Sequence, residues 1–223
     1  MIKSQDTFDG EKDDTGVIEE SGFRVNVLTN PDEIQQAYLL RDKIFCRELK
    51  WVSKTEGSFE TDEYDKHAVF FGVFDRRMQL AAFVRLVPSQ APFMLEKDFA
   101  SLVDPCHRIR KNEDTAELSR LCVAPEARSG SVRSDFGRYS LTLLLLKGVY
   151  HWCRRNKRRY LYAVTVRNVH RSFRIRGFPY RPIGGPKLMP DGVIALPVVM
   201  DWKEFEVVNR VKRPRMFEWF TRD

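Results

Sequence analysis

Four short stretches of this chain hold residue types suited to chemistry. Arg41, Phe45 and Trp51 follow at steps of four and six, and Asp62 and Asp65 lie in Thr61-Asp62-Glu63-Tyr64-Asp65. Arg85 opens Arg85-Leu86-Val87-Pro88, and Glu117, Ser119 and Arg120 belong to Glu117-Leu118-Ser119-Arg120. A guanidinium is a flat cationic fork for a carboxylate or phosphate, and the faces of Phe45 and Trp51 suit a base or a sulfonium. Both rings could equally pack a helix onto a sheet. Asp62 and Asp65 could hold an amine and a positive sulfur, or pair with Arg85 and Arg120 as a structural ion network. A strand with Glu117, Ser119 and Arg120 inside a buried sheet is costly unless those groups meet partners or a substrate. A period of two puts Glu117, Ser119 and Leu121 on one face, and Leu118, Arg120 and Cys122 on the other.

The elements that must position these residues are legible in outline. Residues 23–28 alternate as a first strand. Asn30, Pro31 and the acids behind them start a helix that runs to about Glu48, with Arg41 and Phe45 on one face. Residues 49–66 form a loop carrying Trp51 and both aspartates. Runs 67–74 and 79–87 make an antiparallel hairpin, and 117–123 is a further strand. A long apolar helix spans 137–156, a buried strand 160–166 and a short helix 169–175. The stretch after Pro179 and residues 193–200 complete the sheet. This order predicts an α/β fold: one mixed sheet with helices on both faces.

At 223 residues, 43% hydrophobic and 31% charged, the chain fits one globular domain. The expected divisions are an acidic, disordered segment at 1–20, a domain at 21–202 and a tail at 203–223. No basic-then-apolar leader is apparent, and the apolar run around 143–146 is too short to cross a bilayer, so a cytoplasmic protein is expected. Net charge is +7, yet residues 1–22 hold seven acids against two lysines, leaving about +12 elsewhere. Much of that lies in 154–159 and 167–181, a distribution that favours an acidic partner unless it is a solvated helix end. The four cysteines and four histidines show no metal-ligand or nucleophile-base spacing, so no metal and no covalent catalysis are expected.

Taken together, Arg-x3-Phe-x5-Trp-x10-Asp-x2-Asp, then Arg-x13-Phe from Arg85 to Phe99, then Glu-x2-Arg from Glu117 to Arg120, resemble the acyl-homoserine-lactone synthases, the autoinducer synthase family. The similarity is clear over about 36–125 and looser through Arg174-Ile175-Arg176-Gly177-Phe178-Pro179 to Leu196. The resemblance implies an acetyltransferase-like three-layer sandwich in which two parallel strands, here 117–123 and 160–166, splay apart to admit the pantetheine arm of a thioester. It implies that the amine of S-adenosylmethionine takes the acyl group from acyl carrier protein, then lactonises and releases methylthioadenosine, with no further cofactor. It places Glu117 beside the attacking amine, with Arg85 and Arg120 in the catalytic set. Arg41, Phe45, Trp51, Asp62, Asp65, Phe99 and Ser119 then bind substrate. Leu121, Val123, Leu143, Leu146, Val164 and Thr165 flank the splay as the acyl pocket, and Thr165 matches a threonine associated with 3-oxo-acyl donors. Carrier docking is expected on Arg154–Arg159 or on Arg171, Arg174 and Arg176.

Three departures from the family pattern stand out. Lys50 replaces a glycine before the tryptophan, Ser89 replaces a threonine, and 124–138 is long and polar. Arg128-x-Gly130 lacks the glycine spacing of a coenzyme A pyrophosphate loop, which favours a carrier-bound donor. Two other readings stay open: an N-acyl amino acid synthase of the same fold, and a basic, non-catalytic nucleic-acid-binding protein. The last leaves Glu117, Asp62 and Asp65 without a purpose and has no accompanying motif.

Overall fold

The computed structural model describes residues 16–53, 57, 59–189 and 192–222. It begins with a hairpin, β1 (Ile18–Glu20) and β2 (Phe23–Val27), and continues into α1 (Pro31–Arg41). The Asn30 side chain caps α1 by accepting from the Asp32 N–H, with Pro31 in the first turn. Helical winding continues to Glu48 but widens, the Leu49 N–H reaching back five residues to the Ile44 carbonyl at 2.8 Å. Next come β3 (Val69–Phe74) and β4 (Leu80–Pro88), then β5 (Thr115–Val123) and a separate hairpin of β6 (Ser131–Ser134) and β7 (Gly137–Ser140). The remainder is α2 (Leu141–Arg155), β8 (Tyr160–Val166), α3 (Arg167–Ile175), β9 (Arg181–Pro182), β10 (Lys187–Leu188), β11 (Ile194–Asp201), α4 (Trp202–Lys212) and α5 (Pro214–Thr221).

The main sheet runs β1-β2-β3-β4-β5-β8-β11-β10, with β9 also paired to β11. Among the described residues, every pairing in it is antiparallel except β5 with β8. That parallel pairing covers Thr115 with Tyr160, Ala116 with Leu161 and Glu117 with Tyr162, and then ends. Both strands run on without partnering each other, to Val123 and Val166, so the expected splay opens directly after Glu117.

One face of the sheet packs α1 and the turn after it through Leu40, Ile44, Phe45, Phe70 and Phe83. The other packs α2, α3, α4 and α5. Gly148 lets α2 lie close to that face, since a Cβ there would sit 2.4 Å from a Val25 methyl.

Three sequence expectations are corrected here. The 137–156 helix starts only at Leu141, because Gly137–Ser140 pairs back on Ser131–Ser134 and the Ser140 side chain then caps the helix. Of the acidic segment, 1–15 falls outside the described residues, while Ile18–Glu20 is a strand rather than a disordered stretch. Its Glu20 accepts from both Lys147 Nζ and Trp219 Nε1 at 2.7 Å. The tail at 203–223 is no appendage: Phe205, Trp219 and Phe220 of α4 and α5 are buried in the main core. Burial of each such side chain contributes roughly 1.5–3 kcal/mol. No described helix is long and apolar enough to cross a membrane.

Candidate active site

On the α1 face of the sheet, three arginines meet three carboxylates. Arg41 is fully buried and donates from Nε to Glu60 at 2.5 Å and from Nη1 to Asp65 at 2.7 Å. Arg85, also fully buried, donates to Ser119 Oγ at 2.9 Å, to Asp65 at 2.6 Å and to Asp62. Arg120 donates from Nη2 to Glu60 and to Asp62, each at 2.9 Å. Formal charge in the cluster sums to zero, as burial requires. Burial disfavours the charged forms of Glu60 and Asp62, but hydrogen bonds outweigh it. Arg120 and Arg41 hold the Glu60 carboxyl below the usual carboxylate range, and Arg85 does the same for Asp62. Asp62 and Asp65 therefore sit in the ion network, and Arg41 is a buried strut rather than an open fork, its Nη2 approaching Asp62 only to 3.8 Å.

The period-two expectation for β5 fails at Arg120. Between the pairs Arg85 with Ser119 and Phe83 with Cys122 the register slips, so Arg120 and Leu121 oppose Val84 alone. Arg120 takes φ +57°, the left-handed region. Such a bulge re-aims a side chain. It turns Arg120 to the face of Glu117 and Ser119, and sends Leu121 and Val123 to the opposite face, against the α2 core.

Glu117 ends the paired stretch of β5, at the apex of the splay. It is 1% exposed, and its two oxygens accept the N–H groups of Met94 at 2.6 Å and Leu95 at 2.9 Å. Burial pushes its carboxyl up to about 7, against the lowering effect of those two bonds. The Met94 Sδ in turn lies 3.2 Å from Arg85 Nη2 and 3.7 Å from Arg120 Nη1. Met94 thus joins Glu117 to the arginine cluster.

The groups on the cluster's open side are few. Side-chain exposure is 0% for Arg41 and Arg85 and 1% for Glu60, but 12% for Arg120 and 19% for Asp62. Beside them the Phe45 ring lies 5.6 Å from the Arg120 guanidinium carbon and 6.2 Å from the Trp51 ring. Phe45 is buried, whereas Trp51 is exposed. Phe99 is more remote, half-buried against the cluster of Phe93, Leu95 and Tyr162.

Of the expected acyl pocket, Leu121, Val123, Leu143 and Leu146 come together on the α2 face. Val164 does not join them: it packs on the other side of the sheet with Val87 and Tyr162. Thr165, next along the strand, turns to the α2 face, its hydroxyl making only a long bond of 3.5 Å to the Val166 carbonyl.

Sequence reasoning gave no role to Glu60 or Met94. A signal for Glu60 existed, because Arg41, Arg85 and Arg120 need three counter-charges if all are buried, and Asp62 and Asp65 supply two. Nothing in the sequence marks Met94 as the link.

A family model described as autoinducer synthase matches residues 25–209. The chain belongs to the autoinducer synthase family. An acyl-homoserine-lactone synthase of Agrobacterium fabrum is 28% identical to this synthase over 179 residues, 78% of this chain and 82% of that one. One from Vibrio anguillarum is 28% identical over 152 residues, covering 67% and 75%. Among solved structures, the acyl-homoserine-lactone synthase LasI superposes with a TM-score of 0.69 at 18% identity, covering 80% of this chain and 89% of that one. The coenzyme A-dependent synthase BjaI, solved with MTA, gives 0.68 at 23%, covering 81% and 82%. These likenesses establish the acetyltransferase-like fold.

Lys50, standing where a glycine is usual, adopts φ +57°, a region glycine enters without penalty. Lys50→Gly is expected to leave activity unchanged and to shift stability by no more than about 1 kcal/mol, since relief of strain offsets the added freedom of the unfolded chain. Thermal melts check this, and a large loss of stability would show that the lysine side chain holds the loop.

Proposed function

We propose that this protein makes an acyl-homoserine lactone from S-adenosylmethionine and an acyl thioester. The observation that carries the reading is the position of Glu117: at the apex of the splay, on the same face as the Arg120–Asp62 rim. S-adenosylmethionine carries a carboxylate, an ammonium and a sulfonium beside an adenine. The rim offers a guanidinium, a partly exposed carboxylate and the rings of Phe45 and Trp51, one for each feature. Arg41, Arg85 and Glu60, being fully enclosed, hold that rim in place.

The amine nitrogen attacks the thioester carbonyl carbon and the carbon–sulfur bond breaks. The ammonium first releases one proton to solvent to become the attacking amine; Glu117 takes the second proton, shed as the amide forms, and passes it to the departing thiolate. A carboxyl with its midpoint near 7 suits this exchange at neutral pH. The methionyl carboxylate oxygen then attacks the carbon bonded to the sulfonium. That bond breaks toward sulfur, and neutral lactone and methylthioadenosine part without any further proton. Holding two substrates in register can itself supply roughly 7–11 kcal/mol.

For the acyl donor we favour a carrier protein. In the stretch after β5, the N–H groups of Ala127, Arg128 and Gly130 bond to carbonyls of the same stretch, and Arg128 pairs with Glu48 at 2.7 Å. Those amides are not arranged to cradle a pyrophosphate. For docking we favour α3, which starts where β8 ends at the splay and exposes Arg167, Arg171, Arg174 and Arg176 around Val169 and Ile175. The other candidate run is tied into the fold: Arg154 pairs with Glu206, Arg159 with Asp201, and Arg158 bonds the Glu113 carbonyl. Reversing Arg171 and Arg174 to Glu is expected to raise the carrier's KM at least tenfold at low salt and to flatten its salt dependence, with the KM for S-adenosylmethionine unchanged. An unaltered carrier KM contradicts docking on α3.

Mass spectrometry of extracts from cells expressing the protein tests the function. A homoserine lactone is expected. An N-acyl amino acid, the product type named for the solved synthase FeeM, which superposes with a TM-score of 0.57 at 15% identity, would replace this reading with the alternative.

A further inference from the structure

We propose that Lys111, a residue outside the cluster, is the positioning residue for Glu117. This rests on the role given to Glu117 above. The two N–H groups that hold the Glu117 carboxylate belong to one short turn, Met94–Glu96. A turn of three residues has few bonds of its own: the Phe93 N–H donates to Glu96 Oε2 at 2.7 Å, and the Glu96 N–H to the Phe93 carbonyl at 3.0 Å. The Met94 carbonyl also accepts the N–H groups of Lys97 at 3.2 Å and Phe99 at 2.9 Å, and Lys111 braces the turn from outside. Its ammonium donates to the Ala91 carbonyl at 2.6 Å and to Glu96 Oε2 at 2.8 Å, and lies 3.5 Å from the centre of the Phe93 ring. One cation therefore grips the chain before, at the entry of, and at the end of the turn that presents Met94 and Leu95.

The linkage is short and closed. Lys111 precedes β5 by four residues, and Glu117 is the third residue of β5. The lysine thus braces a turn that returns to its own strand. A half-exposed Lys–Glu pair alone contributes little, but an ammonium sharing a carboxylate, a carbonyl and a ring face fixes a geometry. It also acts through its field: Lys111 and Arg85 of β4 both favour the charged form of Glu117. The other ionisable groups packed around Glu117 are the phenols of Tyr64, from the turn Glu63–His67, and of Tyr162 on β8. Without Lys111 the turn is free to shift its two N–H groups, and burial acts on the carboxylate with less opposition. Both changes move Glu117 toward its protonated form.

Two readouts test this on the full-length protein, with Lys111→Met and Lys111→Arg beside wild type. Carbon-13 NMR of the Glu117 side-chain carboxyl, assigned with Glu117→Gln, follows its titration without any turnover. The midpoint is expected to rise in Lys111→Met and to return toward wild type in Lys111→Arg. Turnover of S-adenosylmethionine and acyl carrier protein across pH is expected to show kcat/KM at pH 7 lower by about tenfold or more in Lys111→Met. Its rising limb should be displaced to higher pH, and the KM for S-adenosylmethionine should be unchanged. An identical midpoint in wild type and Lys111→Met overturns the proposal, whatever the activity. A shifted midpoint with a wild-type pH–rate profile upholds the contact and sinks the role of Glu117 instead. If Lys111→Met fails to fold, Lys111→Gln, which keeps a hydrogen-bond donor but removes the charge, is expected to raise the midpoint as well, and no movement in it would also overturn the proposal.

Discussion

Glu117→Gln is expected to lower lactone formation by ~10²–10⁴-fold, the usual worth of a positioned general base, while the protein still folds. In wild type, kcat/KM is expected to rise with pH through about 7, because the carboxylate is the active form and burial has raised its midpoint to that value. The variant should lose that limb. Stability should move the other way. The folded midpoint lies above the ordinary 4.5, so the protonated form favours folding. That contribution is complete below pH 4.5 and is lost as pH rises through about 7. A glutamine has one carbonyl oxygen for the N–H groups of Met94 and Leu95, so one donor loses its acceptor, at about 1–3 kcal/mol. Calorimetry beside the kinetics separates the two effects. A variant that folds and turns over at near wild-type rate would remove Glu117 from the chemistry.

The largest effect on stability should come from Glu60, which sequence reasoning passed over. Its two oxygens serve Arg41 and Arg120, and it is 1% exposed. Glu60→Gln leaves two guanidinium groups short of one counter-charge at a buried position. Removing one partner of a buried ion pair costs about 3–5 kcal/mol. For a chain of this length that corresponds to a fall in Tm of roughly 6–20 °C. The exposed pair of Lys43 with Glu126 is the contrast: Lys43→Ala should cost about 0–1 kcal/mol. Denaturant titration of both variants checks the difference. Comparable small losses would mean that the cluster is hydrated and its members individually dispensable.

What the sequence disclosed, and what it hid, follows from which forces are local. The Val-, Phe- and Ala-rich runs on either side of the 75–77 turn and the capping at Asn30 and Pro31 are written in neighbouring residues, and the hairpin and α1 formed as expected. The parallel strands of the splay were also placed correctly, through family resemblance. The bulge at Arg120 was invisible, because a residue in the left-handed region there is held by three partners contributed from residue 60, residue 62 and the Phe45 ring. The period-two rule assumes a regular ladder, and one extra residue inverted it for Arg120, Leu121 and Val123. The C-terminal helices were missed for a similar reason. Phe205 and Phe220 pack against Tyr150 and Phe178 and Trp219 stacks on Tyr139, and their stretch between charged residues gives no local sign of that distant core.

The most direct test of the account is to incubate the purified protein with S-adenosylmethionine and a matched acyl carrier protein, and to count products. Thiol released from the carrier, methylthioadenosine and acyl-homoserine lactone are expected in a 1:1:1 ratio, since one acylation commits one sulfonium to leave. Thiol release without methylthioadenosine would contradict the account, because the amine acylated would then be one that carries no sulfonium.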